Sequence, residues 1–286
     1  MVLTNPSVIK EIRQKFGFEF KKNFGQNFLT SEKVLEDICE AASGADGILE
    51  IGPGFGTLTS ALAPHFEKVV AVEIDSRLPE VLKYTLGEFS NIKIIQGDCM
   101  KMNLQELISE EFPDKRISVA ANLPYYITTP IITMLLESRL NLEKIVVMVQ
   151  KEVAERLCAE PGGKEYGAIS VLCKYYTESE IVSVVPAGCF VPAPKVDSAV
   201  VCMKLRKEPV VKVSNEKCFF AVVKAAFSQR RKTLSNCLTS SFRTDKNVMN
   251  GILSGLGIDP VRRGETLSIE EFAKVTEKII SEGLWV

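Results

Sequence analysis

Histidine is almost absent from this chain of 286 residues: only His65 occurs. The eight cysteines stand singly, at positions 39, 99, 158, 173, 189, 202, 218 and 237, and no pair has C-x-x-C spacing. No metal site is therefore expected; reduced, buried thiols are. No apolar run reaches the roughly 18 residues that suggest a membrane-crossing helix, so no membrane partner is expected. The first 20 residues mix Lys and Glu with apolar residues and lack the apolar core and cleavage site of a secretory signal. A cytoplasmic location is the expectation. Internal repeats and low-complexity tracts are absent as well.

What is present is an ordinary globular composition, 46% hydrophobic and 25% charged. The length suits one large domain or two. A net charge of −1 conceals an uneven distribution. Residues 204–286 carry 15 Lys/Arg against 9 Asp/Glu, and residues 1–31 carry 5 against 2, which leaves the middle strongly acidic. Basic ends around an acidic centre are compatible with a polyanionic partner.

From residue 44 short Val- and Ile-rich runs alternate with helical patterns. Strands are expected at 47–51, 68–75, 92–98, 117–123 and 144–150, and helices at 57–63, 77–89, 104–110 and 130–138, the last with Thr129 as cap and Pro130 in its first turn. Such alternation means an α/β fold with a doubly wound, mostly parallel sheet. Two late strands are expected at 181–186 and 197–205, and these can run antiparallel to the rest. After about residue 207 only helical patterns remain, at 215–228, 230–242, 246–255 and 269–282. Ser268 and Glu271 form a capping-box pattern before the last. The expected division is a catalytic domain with an N-terminal extension over 1–207, and a small all-helical domain over 208–286.

The sharpest local signal is Ile48-Leu49-Glu50-Ile51-Gly52-Pro53-Gly54-Phe55-Gly56. A buried strand runs into three glycines at alternate positions and then a helix. Gly52, Gly54 and Gly56 let the chain turn tightly and let a ligand lie on bare backbone. Glu73, 21 residues after Gly52, closes the next strand where a ribose-binding acid belongs. Asp98 closes the third strand at the same edge and can accept from an adenine amino group. A nicotinamide dinucleotide is the competing ligand, but its fingerprint is G-x-G-x-x-G. The spacing here is G-x-G-x-G with Pro53 inside, and a third acid-ended strand follows. Both differences favour S-adenosylmethionine.

After the fourth strand comes Asn122-Leu123-Pro124-Tyr125-Tyr126. An aromatic amino group is a poor nucleophile, because its lone pair is delocalised into the ring. It needs two acceptors that hold its N–H bonds rather than a strong base. The Asn122 side-chain oxygen is one such acceptor, and a backbone carbonyl at Leu123 or Pro124 is the other. Tyr125 offers a face for a flipped base. Phe190, in the proline-rich run 190–198, can stack on the opposite face or simply fill the core.

These motifs resemble the small-subunit ribosomal RNA adenine dimethyltransferases, the bacterial kasugamycin-resistance methyltransferases. The resemblance runs nearly end to end: Asn23–Leu29, Glu50–Gly56, Val72–Asp75, Gly97-Asp98, Asn122–Tyr126, Gln150–Ala154, Phe190–Ser198 and Ala226–Leu234. Phe24 stands where many members carry leucine. The resemblance implies a Rossmann-like S-adenosylmethionine-dependent methyltransferase fold and a helical RNA-recognition domain. It implies dimethylation of N6 on two adjacent adenines near the 3′ end of 16S rRNA, during ribosome biogenesis. By the same resemblance Gln26, Asn27 and Leu29 join Gly52, Glu73, Asp98 and Asn122 around the cofactor, while Tyr125 and Phe190 sandwich the adenine. Lys21, Lys22, Arg230, Arg231 and Lys232 are candidates for rRNA phosphates. A monomer is expected. Three alternatives stay open: a large-subunit rRNA adenine methyltransferase of the macrolide-resistance type, whose fourth-strand motif usually reads Asn-Ile-Pro-Tyr or Asn-Ile-Pro-Phe, an assembly factor without essential catalysis, and a dehydrogenase.

Overall fold

Strands and helices alternate along most of the chain because the apolar residues switch between continuous runs and helical spacing. The structure is a computed structural model that describes residues 1–18 and 27–285. In order the elements are α1 (Pro6–Lys15), β1 (Phe28–Leu29), α2 (Glu32–Ala42), β2 (Gly47–Ile51), α3 (Thr57–Leu62), β3 (Lys68–Glu73), α4 (Leu78–Leu86), β4 (Ile92–Gln96), α5 (Leu104–Glu111), β5 (Ile117–Asn122), α6 (Thr128–Glu137) and β6 (Lys144–Gln150). They continue with α7 (Lys151–Leu157), α8 (Ala168–Tyr176), β7 (Thr177–Val185), β8 (Phe190–Val191), β9 (Ser198–Leu205), α9 (Glu216–Ala226), α10 (Leu234–Phe242), α11 (Lys246–Gly255) and α12 (Ile269–Ser281).

Seven strands form one sheet in the order β4-β3-β2-β5-β6-β9-β7. The pairs β2–β3, β3–β4, β2–β5 and β5–β6 are parallel, and β9 runs antiparallel to β6. Every residue of β2 is buried, as expected for a central strand covered on both faces. From β2 the chain winds outward to β3 and β4, then returns to the other side of β2 with β5. The switch point of this double winding therefore lies between β2 and β5, where ligands bind outside the carboxyl ends of the strands. A separate pair, β1 with β8, is antiparallel and sets Leu29 opposite Phe190.

The chain divides into two compact units. One comprises residues 1–154 and 179–205, and the other residues 155–178 and 206–286. The expected boundary at 207/208 leaves 155–178 with the first domain. The structure groups that stretch with the helices instead, because Tyr166, Val171 and Tyr175 share a core with Phe219, Val222, Leu234 and Phe272. In this second unit the helix starts follow their caps. Asn215 accepts from Cys218 N, Thr233 from Asn236 N and Asp245 from Asn247 N. Ser268 and Glu271 form the full capping box, at 3.2 and 2.8 Å.

Two helix starts differ from expectation by two residues or more. The helix expected from Arg230 begins at Leu234, because Thr233 takes the cap and residues 230–232 turn. The helix expected to begin at Pro130 begins at Thr128. The turn closed by Ile127 N donating to Pro124 O runs straight into it. Pro130 is then third in the helix, where a backbone N–H would have no helical partner.

Candidate active site

The cavity at the switch point opens between the loop after β2 and the loop after β5. It has a volume of about 910 Å3 counting its open mouth, and its walls include Asn27, Leu29, Gly52, Gly54, Glu73, Asn122, Leu123, Pro124 and Tyr125. That size suits a nucleoside-sized ligand. Ile38, Leu58 and Met148 supply apolar wall at the same cavity.

The glycine loop needs its glycines for different reasons. Gly54 has φ 59°, and a Cβ there would stand 3.2 Å from the Phe28 ring. Phe28 in turn stacks on Phe55, with centroids 4.1 Å apart, so β1 packs on this loop. Gly56 has φ 87°, and a Cβ would meet Leu86 at 2.9 Å. Gly56 does not line the cavity; it lets α3 start against α4.

Glu73 is buried, 4% exposed. Its Oε1 accepts from Asp75 N at 2.7 Å and its Oε2 from Gly54 N at 3.2 Å. Burial pushes its carboxyl above the ordinary range, and these backbone donors offset part of that rise. The carboxylate thereby joins the end of β3 to the glycine loop.

On the opposite wall, Asn122 Nδ2 donates to the Asn27 carbonyl at 3.2 Å. Leu123 N donates to Met148 O at 3.1 Å. The Pro124 carbonyl accepts twice, from Ile127 N and from the Thr128 hydroxyl, each at 3.1 Å. No backbone bond among the described residues uses the Leu123 carbonyl. Of the two carbonyls considered from sequence, Leu123 therefore retains its acceptor capacity. Tyr125 is half-buried and its hydroxyl is hydrogen-bonded with Ser198 Oγ at 2.9 Å. Burial raises the phenol, which stays protonated near neutrality.

Not every candidate reaches the cavity. Gly97 N donates to Glu73 O at 2.8 Å, which ties the end of β4 to that of β3, but Asp98 is not among the wall residues. Its Oδ1 caps Met100 N at 3.0 Å and its Oδ2 lies 3.5 Å from Lys101 Nζ. Phe190 is 3% exposed and packs with Leu29, Val34 and Val185. Pairing with β1 turns its ring into the core. Gln26, Lys21 and Lys22 lie outside the described residues.

In the helical unit Arg231 and Lys232 are exposed in the turn before α10. Arg230 is committed within that unit: Nη2 donates to Lys164 O at 2.6 Å, and Nε lies 3.4 Å from Glu265.

Sequence reasoning gave no role to Glu50, Thr57 or Ser198. Glu50 carried a readable signal, since a carboxylate between Leu49 and Ile51 in a fully buried strand is out of place. Ser198 carried none, because only the pairing of β9 with β6 brings it to Tyr125.

The antiparallel β9 inserted between β6 and β7 separates this sheet from wholly parallel dinucleotide folds, and defines a Rossmann-like methyltransferase. Residues 17–277 match the family model described as ribosomal RNA adenine dimethylase. The chain belongs to that family and is an S-adenosylmethionine-dependent rRNA adenine methyltransferase by that membership. It is 50% identical to a ribosomal RNA small subunit methyltransferase A of Bacillus mycoides over 97% of each chain, and 49% identical to one of Bacillus cereus over the same share. Among solved structures it resembles a dimethyladenosine transferase from Plasmodium falciparum, with a TM-score of 0.75, 27% identity and 89% and 98% of the two chains covered. It also resembles the 23S rRNA methyltransferase ErmE, with a TM-score of 0.67, 25% identity and 89% and 100% covered. No described helix is long and apolar enough to cross a membrane.

Proposed function

We propose that the protein dimethylates N6 of two adjacent adenines near the 3′ end of 16S rRNA, acting as a monomer in the cytoplasm on the small subunit or its precursor. The observation that carries this reading is the pair of acceptors at the end of β5. Asn122 is oriented by its bond to Asn27, and among the described residues no hydrogen bond uses the Leu123 carbonyl, whereas the Pro124 carbonyl accepts two.

The cavity's chemistry fits S-adenosylmethionine: a carboxylate at Glu73, bare backbone at Gly52 and Gly54, and apolar wall from Ile38, Leu58 and Met148. When bound, this cofactor supplies an electrophilic methyl on a sulfonium, with no need for a metal. Glu73 would hold ribose hydroxyls, and Asn27 and Leu29 would flank the cofactor; Gln26 is assigned to the cofactor by family resemblance alone. Asp98 is assigned to the adenine amino group, reached from the same sheet edge.

The protein's part is positioning and electrostatic preorganisation. Asn122 Oδ1 and Leu123 O accept the two N–H bonds of the target amino group, which draws its lone pair out of conjugation. Tyr125 stacks on the base. The proton leaves for water after transfer, so no strong base is required. Arg231 and Lys232 would bind phosphates and position the RNA; Arg230 supports their turn.

Mass analysis of nucleosides from undermethylated small subunits, after reaction with S-adenosylmethionine, tests the reading. It predicts N6,N6-dimethyladenosine. A methyl on any other atom would overturn it.

A further inference from the structure

The cofactor cavity holds a second carboxyl group that the mechanism above leaves unused. Glu50 lies in the middle of β2, 1% exposed, and lines the cavity. Among the described residues its Oε2 has no hydrogen-bond partner. The hydroxyl of Thr57, also on the cavity wall, has none either. Buried polar atoms are nearly always paired, so two unpaired ones at one cavity mark a place prepared for a polar ligand.

The surroundings set the charge of this carboxyl. Its β-sheet neighbours are Ala71 and Ala120. From α3 the Thr59 hydroxyl lies close enough to favour the carboxylate and offset part of its rise, without closing a full hydrogen bond. The titratable groups bearing on it are Glu73 on β3 and Cys39 on α2. Burial pushes the Cys39 thiol up to about 11, so it is neutral at pH 7. Among the described residues no lysine, arginine or histidine compensates Glu50. Burial, and secondarily the charge on Glu73, pushes the Glu50 carboxyl up to about 8. It is therefore protonated at neutrality while nothing cationic among the described residues faces it.

Resting on the S-adenosylmethionine reading, we propose that Glu50 receives the α-ammonium of the cofactor's amino-acid end and releases its own proton to solvent as that group binds. The carboxylic acid O–H breaks, its proton goes to water, and the carboxylate left behind pairs with an ammonium that keeps all its hydrogens. No other bond changes. The cavity is thus selective for an amino-acid-bearing nucleoside, and binding is linked to pH. Affinity rises with pH below about 8, because the free protein holds the proton that the complex lacks. Glu73 remains the ribose partner.

Calorimetry in two buffers of different ionisation enthalpy reads the proton directly. The probes are S-adenosylhomocysteine, which carries the ammonium but no methyl to transfer, and 5′-methylthioadenosine, which lacks the amino-acid end. At pH 7 a group titrating near 8 is about nine-tenths protonated, so release of close to one proton accompanies the first ligand. The second ligand releases none. E50Q abolishes the release and weakens S-adenosylhomocysteine at pH 8 by roughly tenfold or more, the scale of a hydrogen bond to a charged group. Binding of S-adenosylhomocysteine without proton release would overturn the inference, even if E50Q fails to fold. So would equal release with both ligands. Release with S-adenosylmethionine alone would also overturn it, by moving the contact to the sulfonium. Failure of S-adenosylhomocysteine to bind at all would instead remove the cofactor reading on which the inference rests.

Discussion

The side-chain amide of Asn122 donates to the backbone carbonyl of Asn27 across 95 residues of sequence, at 3.2 Å. This bond joins the end of the central strand β5 to the segment entering β1. An amide whose nitrogen is so engaged keeps its oxygen for another donor. Asn122→Ala is expected to lower turnover by about 100-fold to 1000-fold, the scale of losing one preorganised polar partner in an active site. S-adenosylhomocysteine affinity is expected to fall far less. Calorimetry beside single-turnover kinetics checks both, and unchanged turnover would remove Asn122 from catalysis.

Tyr125 combines a ring at the cavity with a hydroxyl held by Ser198. Tyr125→Phe keeps the ring and loses one hydrogen bond, a cost of about 1 kcal/mol in stability, with little change in methylation. Tyr125→Ala also loses stacking, worth about 1–3 kcal/mol per base. Its kcat/KM for the RNA substrate is expected to fall well below that of the Phe variant. Equal activity of the two variants would exclude stacking.

Much of this site was legible in the sequence, and the reasons differ by residue. Gly52 to Gly56 and Glu73 could be placed because a buried run, a glycine loop and an acid-ended second strand have fixed relations in a doubly wound sheet. The antiparallel β9 follows its own run of apolar residues. Phe190 was ambiguous, since a phenylalanine in a proline-rich loop serves packing or stacking equally well. In the structure its ring packs in the core, opposite Leu29. The Asn122–Asn27 bond could not be read, because nothing in the local sequence brings Asn27 to the end of β5. The membership of 155–178 in the helical core was likewise hidden, its apolar residues being consistent with either unit.

Gly56 carries two constraints at once, a left-handed backbone and contact with Leu86. Gly56→Ala is expected to destabilise the protein by about 1–3 kcal/mol, the range for a strained backbone position. Urea denaturation measures it. Gly56→Ala combined with Leu86→Ala relieves the contact but not the backbone strain, and full recovery in the double variant would contradict this account of the turn.

Glu50 makes the ligand-free protein sensitive to alkali. Its folded-state titration near 8 lies above the 4.5 of an ordinary glutamate. The folded state then holds the proton more tightly than the unfolded chain. The associated stability is present below about 4.5 and is lost as pH rises towards 8. Melting temperatures of the wild type and E50Q, compared from pH 5 to pH 8 without ligand, are expected to shift in favour of E50Q as pH rises. A difference independent of pH would show that Glu50 does not titrate there.

The basic turn before α10 separates structural from binding roles. Arg231→Ala and Lys232→Ala are each expected to weaken RNA binding and to reduce the slope of log affinity against log salt by about one. Arg230→Ala is expected to lower stability too, because Arg230 holds Lys164 O and Glu265. Filter binding over a salt series and thermal melts distinguish them; an unchanged salt slope in Lys232→Ala would place the RNA elsewhere.

The central claim is methylation of adenine in small-subunit RNA by the Asn122–Tyr125 loop. Its most direct test is transfer of label from methyl-labelled S-adenosylmethionine to small subunits lacking these methyls, with large subunits in parallel and Asn122→Ala as control. The account predicts label in the small-subunit RNA alone, recovered as N6,N6-dimethyladenosine and nearly absent with the variant. Label in the large-subunit RNA, or no transfer by a protein that still binds S-adenosylhomocysteine, would contradict it.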